Sequence, residues 1–351
     1  MVRSIGVPTG LVLLFLLTGC GGGGGGGGES ARSLMTITSE NSSTVATAAW
    51  GALASGDILL DGDPLPLQVT GAESEDSATV RNLSILRGAT VTARGYLERS
   101  ETLVPLADPG DLALSPQATE SFGCSISGSV VIAETSATSG YAEFRDCTEF
   151  EDGVYLRLNG RLELSNVQFS EGSCVDRFSA TTRFRDVSAS IYENLDGPLL
   201  ERVAINGSAN FSEVDDFCGG VYSLRLDGQS LSLRTLNESI GYFSFDLRGK
   251  DTGSYWEDDI RVRLDVGSLP GSITVTTPQP LRSFWYETYP YEGQIRLTGA
   301  GSGYLLATVN ASSGPAAVSI VGDFNNDGTL DCVAEVSWEQ VVDGSWSCGT
   351  P

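Results

Sequence analysis

Histidine is absent from the 351 residues, lysine occurs once, at Lys250, and methionine twice. The first absence removes Ser-His-Asp and Cys-His nucleophile systems, histidine-ligated zinc and most haem ligation. The lone lysine leaves little room for a Ser-Lys pair, so any chemistry would fall to carboxylates or tyrosine. Two carboxylates can hydrolyse a glycoside, and 45 acidic residues leave a carboxylate-based hydrolase open while singling out no pair. The expectation is a protein that is not an enzyme. Clustered positive charge is also missing. Only 21 basic residues face the acidic ones, the formal charge is −24, and the arginines are scattered. Phosphate binding needs grouped Lys and Arg, so nucleic acid is not an expected partner. The acidity reads as a solvated surface. Long apolar runs are missing too: Leu11 to Leu17 is far short of the ~20 residues that span a bilayer.

That short run has another use. It follows Arg3 and precedes small residues, the layout of a secretory signal peptide. The tetrad Leu17-Thr18-Gly19-Cys20 resembles the lipobox of bacterial lipoproteins, which implies that Cys20 is acylated and becomes the mature N-terminus. Removing residues 1–19 takes away Arg3 and leaves a charge of −25. The glycines Gly21 to Gly28 then act as a tether, reaching roughly 15 Å as a coil. Lipoproteins of Gram-negative bacteria with aspartate after the cysteine tend to stay in the inner membrane. Gly21 here points to the outer membrane, with the body facing the periplasm or the cell surface.

Six further cysteines remain: Cys124, Cys147, Cys174, Cys218, Cys332 and Cys348. An even number in an exported chain predicts disulfides, and no CxxC pair or histidine supports a metal site instead. Six cysteines allow 15 connectivities. Pairing sequence neighbours gives Cys124–Cys147, Cys174–Cys218 and Cys332–Cys348.

The segment MTITSENSSTVATAAWGALASGD predicts a short strand and then a helix, capped by Asn41, Ser42 or Ser43 and ended by Gly56. It is the one helix the sequence predicts. ILLDGDPLPLQVTG and ATVRNLSILRGATVTARGYL look like strands, and the proline-rich VPLADPGDLALSPQ suggests a boundary. From Cys124 onward the period is two. In VYLRLNGRLEL, Leu156, Leu158, Leu162 and Leu164 share one face and Arg157, Asn159, Arg161 and Glu163 the other. Related pieces recur around Asn206-Gly207 and Asp227-Gly228. Such dipeptides suit two-residue hairpin turns; a continuous strand bulged at the glycine is the alternative.

The fold class predicted is mainly β: antiparallel hairpins in a meander, forming a curved sheet, sandwich or partial barrel, with one short N-terminal helix. The division expected is a signal peptide over 1–19, a lipidated cysteine and glycine linker over 20–33, a helix and β segment over 34–115, and an antiparallel β domain over 116–351. The lipobox, the glycine tract, ITSENSSTVATAAW and FRDCTEFEDGVYLRLNGRLEL together resemble a group of acidic, β-rich lipoproteins of Gram-negative bacteria. That resemblance brings no activity and no catalytic residue.

Two constellations stand out. In GDFNNDGTLDCVAE, Asp323, Asn325, Asp327, Thr329 and Asp331 occupy positions one, three, five, seven and nine, with Gly328 at six. Alternate side chains of a tight turn converge on calcium in this pattern. The loop resembles EF-hand loops and, because VAEVSW reads as a strand, the calcium loops of FG-GAP repeats. Position twelve is Ala334, where an EF-hand has its bidentate glutamate, and Glu335 falls one residue late. An acidic turn is the plain alternative to structural Ca²⁺. The second constellation, SFWYETYPYEG, offers Trp285, Tyr286 and Tyr289 as a platform for sugar rings, or simply as core. The expected function is a non-enzymatic structural or binding role at the outer membrane. Alternatives are a carbohydrate-binding module using the Trp/Tyr cluster, or a carrier of a lipid or other apolar ligand. The membrane, through the lipid anchor, is the one partner the sequence specifies.

Overall fold

The computed structural model describes residues 31–60, 119–136, 138–151, 154–170, 172–284, 289–310 and 317–349. Cys20, the glycine run, the strands expected after residue 60 in the N-terminal segment, and Trp285 and Tyr286 lie outside the described residues. Among the described residues fourteen strands follow one another: β1 (Thr119–Gly123), β2 (Ser127–Ser136), β3 (Ser139–Glu151), β4 (Val154–Ser170), β5 (Val175–Tyr192), β6 (Leu199–Asp216) and β7 (Val221–Arg234). The series continues with β8 (Ser239–Asp251), β9 (Trp256–Val266), β10 (Ser272–Ser283), β11 (Glu292–Thr298), β12 (Tyr304–Asn310), β13 (Ala317–Asp323) and β14 (Cys332–Ser337). They form one antiparallel sheet in which every strand pairs with the next, and the sheet does not close. The meander expected from the period of two is therefore present as a single open sheet.

Helix α1 (Ser42–Leu60) packs on the core face of that sheet. Val45, Ala49, Ala52 and Leu53 are buried, and the buried Tyr242 hydroxyl donates to the Ala52 carbonyl at 2.7 Å. The helix runs through Gly56, the residue expected to end it. A helical glycine costs only about 1 kcal/mol relative to alanine, and the helix continues to Leu60. The strand expected to begin at Ile58 is thus helical at its start. A second helix, α2 (Trp338–Asp343), was not foreseen. Trp338 is buried and its ring lies 4.5 Å from that of Trp50. Upstream of α1, Leu34 bridges Ser272 in parallel and Ala300 donates to the Met35 carbonyl at 2.7 Å. The cysteines pair in sequence order: Cys124–Cys147, Cys174–Cys218 and Cys332–Cys348.

Asn159-Gly160 and Asn206-Gly207 lie inside continuous strands, so the hairpin reading fails and the strand reading holds, but the bulge is not at the glycine. The extra residue sits on the neighbouring strand. Between Phe144 and Cys147 on β3 there is one residue more than between Gly160 and Leu158 on β4. The same happens on β5, between Arg185 and Ser188 against Gly160 of β4, and between Phe184 and Val187 beside Gly207 of β6. The bulged residues Asp146 and Asp186 have φ of 47° and 50°. Their amides leave the ladder and are met by asparagine: Asp146 N–H donates to Asn159 Oδ1 at 2.8 Å, and Asp186 N–H to Asn206 Oδ1 at 2.7 Å. Glycine is required beside them. A Cβ on Gly160, whose φ is 101°, would lie 2.2 Å from the Asp186 carbonyl oxygen.

These bulges also preserve the core. In β5, Phe178, Ala180 and Phe184 are buried before the bulge and Val187 and Ala189 after it, an exchange of even for odd positions. β8 makes the same exchange at Ser244, from Ile240 and Tyr242 to Phe245 and Leu247. Without the extra residue, every side chain beyond it would turn to the wrong face.

Candidate functional site

Bulged strands bend, and beside the row of bulges the polar face of the sheet forms an open groove of about 1300 Å³. Strand register builds one line of side chains across it. Tyr141 on β3 stands opposite Glu163 on β4, and Glu163 opposite Arg183 on β5. Arg183 faces Ser208 on β6, Ser208 faces Ser230 on β7, and Ser230 faces Phe243 on β8. Five strand spacings make this row about 24 Å long.

Charge is arranged unevenly along it. Glu163 is held by Arg161 at 3.1 Å and by Arg185 at 2.9 Å. The Arg161 guanidinium lies 3.7 Å from the centre of the Tyr141 ring. Its Nε is buried and, although close to Glu163, lacks the alignment of a hydrogen bond. Arg183 is exposed and makes no hydrogen bond or ion pair among the described residues. Three arginines against Glu163 and Asp186 leave the groove net positive in a chain of charge −24. At the far end, the half-buried Phe243 ring covers Gly241, where a Cβ would come within 2.6 Å of its Cε2.

No family model, curated protein or solved structure matches this chain.

The proposed calcium residues fall in the β13–β14 connection. Asp323 is buried, and its carboxylate accepts from the Asp327 amide at 3.2 Å and the Gly328 amide at 2.9 Å. Asn325 Oδ1 accepts from Asp327 N–H at 3.0 Å, and Asp331 accepts from Phe324 N–H at 2.8 Å. Asp327 accepts from Thr329 N–H at 2.8 Å, and that bond holds its carboxyl below the usual carboxylate range. Asn326 and Gly328 have φ of 57° and 85°, which supply the sharp bend. The donor set is all oxygen, and an oxygen that accepts one N–H keeps lone pairs for a hard cation. Glu335 does not help complete a shell: it pairs with Ser319 in mid-strand, about 13 Å of extended chain from Asp323. Among the described residues, the Asp, Glu or Cys ligand atoms gathered in threes within 4.8 Å belong to Cys124, Cys147 and Glu149, and those two sulfurs form a disulfide. The loop's aspartates stand farther apart than that.

The aromatic cluster is partly core. Tyr289 stacks on Trp338 with centroids 5.7 Å apart, and Phe284 stacks on Tyr291 at 4.2 Å. Burial pushes the Tyr289 hydroxyl pKa up. That ring is occupied in holding α2. The groove residues Tyr141, Arg161, Arg183, Arg185 and Phe243 were not picked out from the sequence. Arg183 and Arg185 alternate in TTRFRDV, which marks one face of a strand. Nothing in the one-dimensional order places them beside Glu163 and Tyr141.

Proposed function

We propose that this is a non-enzymatic, lipid-anchored protein of the outer membrane whose groove binds an oligosaccharide bearing carboxylate groups. The row from Tyr141 to Phe243 carries the reading. Aromatic rings at both ends suit sugar faces, the serines between them suit hydroxyls, and the unengaged Arg183 suits a carboxylate. This keeps the carbohydrate-binding alternative and moves it from the Trp/Tyr cluster to the opposite part of the sheet. An apolar-ligand carrier has less support. Among the described residues, an apolar pocket lined by Ala49, Trp50, Ile295, Leu305 and Trp338 measures about 30 Å³, room for a water-sized group. The anchor rests on the lipobox tetrad and the short apolar run before it. Structural Ca²⁺ at Asp323, Asn325, Asp327, Thr329 and Asp331 belongs to the same proposal, with water completing the shell.

Calorimetry on the full mature chain in detergent tests the groove, using short oligogalacturonates as probe and neutral galactose oligomers as comparator. The charged oligomer is expected to bind more tightly. Arg183→Ala should weaken it about tenfold, the size of a lost charge-assisted hydrogen bond. Phe243→Leu, which still covers Gly241, should weaken both oligomers. Equal binding of the two oligomers, or affinity unmoved by either substitution, would overturn the reading.

A further inference from the structure

Nine large apolar side chains among the described residues are exposed, and the topology sorts them sharply. In an up-and-down meander, alternate connections lie at the same end of the sheet. The β1–β2, β3–β4, β5–β6, β7–β8, β9–β10 and β13–β14 connections share one end. Seven of the nine sit there: Ile126, Phe150, Leu195, Leu199, Leu200, Leu236 and Leu330. Only Phe169 and Phe217 sit at the other. Phe150, the three leucines of the β5–β6 hairpin and Leu236 occupy three successive hairpin tips at that end and make an apolar rim interrupted by Glu193, Asp196 and Glu238. Seven exposed apolar side chains at one end against two at the other is a bias that a partner at that end would explain.

The chain itself indicates which. Arg32 is fastened at that same end, donating to the carbonyls of Leu269 at 2.6 Å and Val266 at 2.5 Å and pairing with Asp265. Leu269 lies in the β9–β10 connection. From Cys20 to Arg32 the chain has 12 residues, which reach at most about 43 Å and on average roughly 19 Å as a coil. The 12 residues of β10 alone cover about 40 Å. An acylated Cys20 would therefore hold the apolar rim against the bilayer and the opposite end away from it.

We propose that this rim is a second membrane contact: the apolar hairpin tips enter the interfacial layer of a zwitterionic bilayer and fix the body upright on it. The inference rests on the anchoring reading above. Glu193, Asp196 and Glu238 lie among the tips, so anionic lipid is disfavoured. A lipid anchor on a flexible glycine tether holds the body near the bilayer without orienting it, and the rim supplies the orientation.

The test places a tryptophan at Leu236→Trp or, at the other end, Phe217→Trp, in the full lipidated chain on zwitterionic vesicles containing brominated lipid. Both positions are exposed, and unchanged melting checks the fold. The fluorescence added by Leu236→Trp should fall roughly twofold through contact with bromine at interfacial depth, and that added by Phe217→Trp should not change. Quenching of neither, or of Phe217→Trp alone, would overturn the proposal. Intact mass reports acylation of Cys20 separately, so a failed anchor and a failed rim give different results.

Discussion

Asn159 and Gly160 work as one device. The asparagine oxygen meets the amide that the β3 bulge frees, and the glycine leaves room for the β5 bulge carbonyl. Gly160→Ala would force an L side chain into a φ of 101° with its Cβ 2.2 Å from an oxygen. We expect a loss of about 2–3 kcal/mol in chemical denaturation, well above the cost of an ordinary strand glycine substitution. Asn159→Ala should cost less, about 1–2 kcal/mol, because water can reach the freed amide of exposed Asp146. The dipeptide was visible in the sequence as a turn signal. Its use was not, because the residue it serves lies on another strand 13 positions away.

At the scale of elements, the strands were legible from alternation, and the disulfide partners from chain order. Helix α2 carried a signal that went unread. Ser337 and Gln340 form a capping box, with Gly344 left-handed at the other end. Only six residues long, it is too short for periodicity to show, and packing of Trp338 against Trp50 and Tyr289 secures it. The β13–β14 loop was legible as a pattern of oxygens. With water in place of Glu335, calcium affinity should fall in the 10⁻⁴–10⁻³ M range of extracellular modules. Melting the protein with calcium and with chelator should raise the transition in calcium for the native chain. Asp327→Ala should abolish that shift. If calcium moves neither protein, the loop is an acidic turn.

Across the whole molecule, acid acts through two opposed effects. Protonation relieves the self-repulsion of a chain at −24 and also discharges carboxylates that the fold has paired. Asp246 separates the two. Burial raises its pKa, but hydrogen bonds and charge from Arg248 and Arg225 outweigh that and hold it below the ordinary value. A depressed folded pKa gives stability that is present above the unfolded value near 3.9 and is lost as pH falls through the folded one. Asp246→Asn should therefore narrow the gap in denaturation midpoint to the native protein as pH drops below about 4. A gap constant with pH would contradict the pairing.

The order of the strands has a consequence for how the chain assembles. Each strand's next partner is the next one synthesised, so pairing contacts are short-range in sequence and the ladder can grow one strand at a time. Helix α1 is the exception. It comes early in the chain yet packs on β7, β9 and α2, and must wait for all of them. Until β14 arrives, the growing sheet carries a raw edge at its newest strand, the state most open to pairing with another chain. The Cys332–Cys348 bond holds Gly349 against Val333, so a two-way backbone bridge occupies part of the β14 edge once that disulfide has formed.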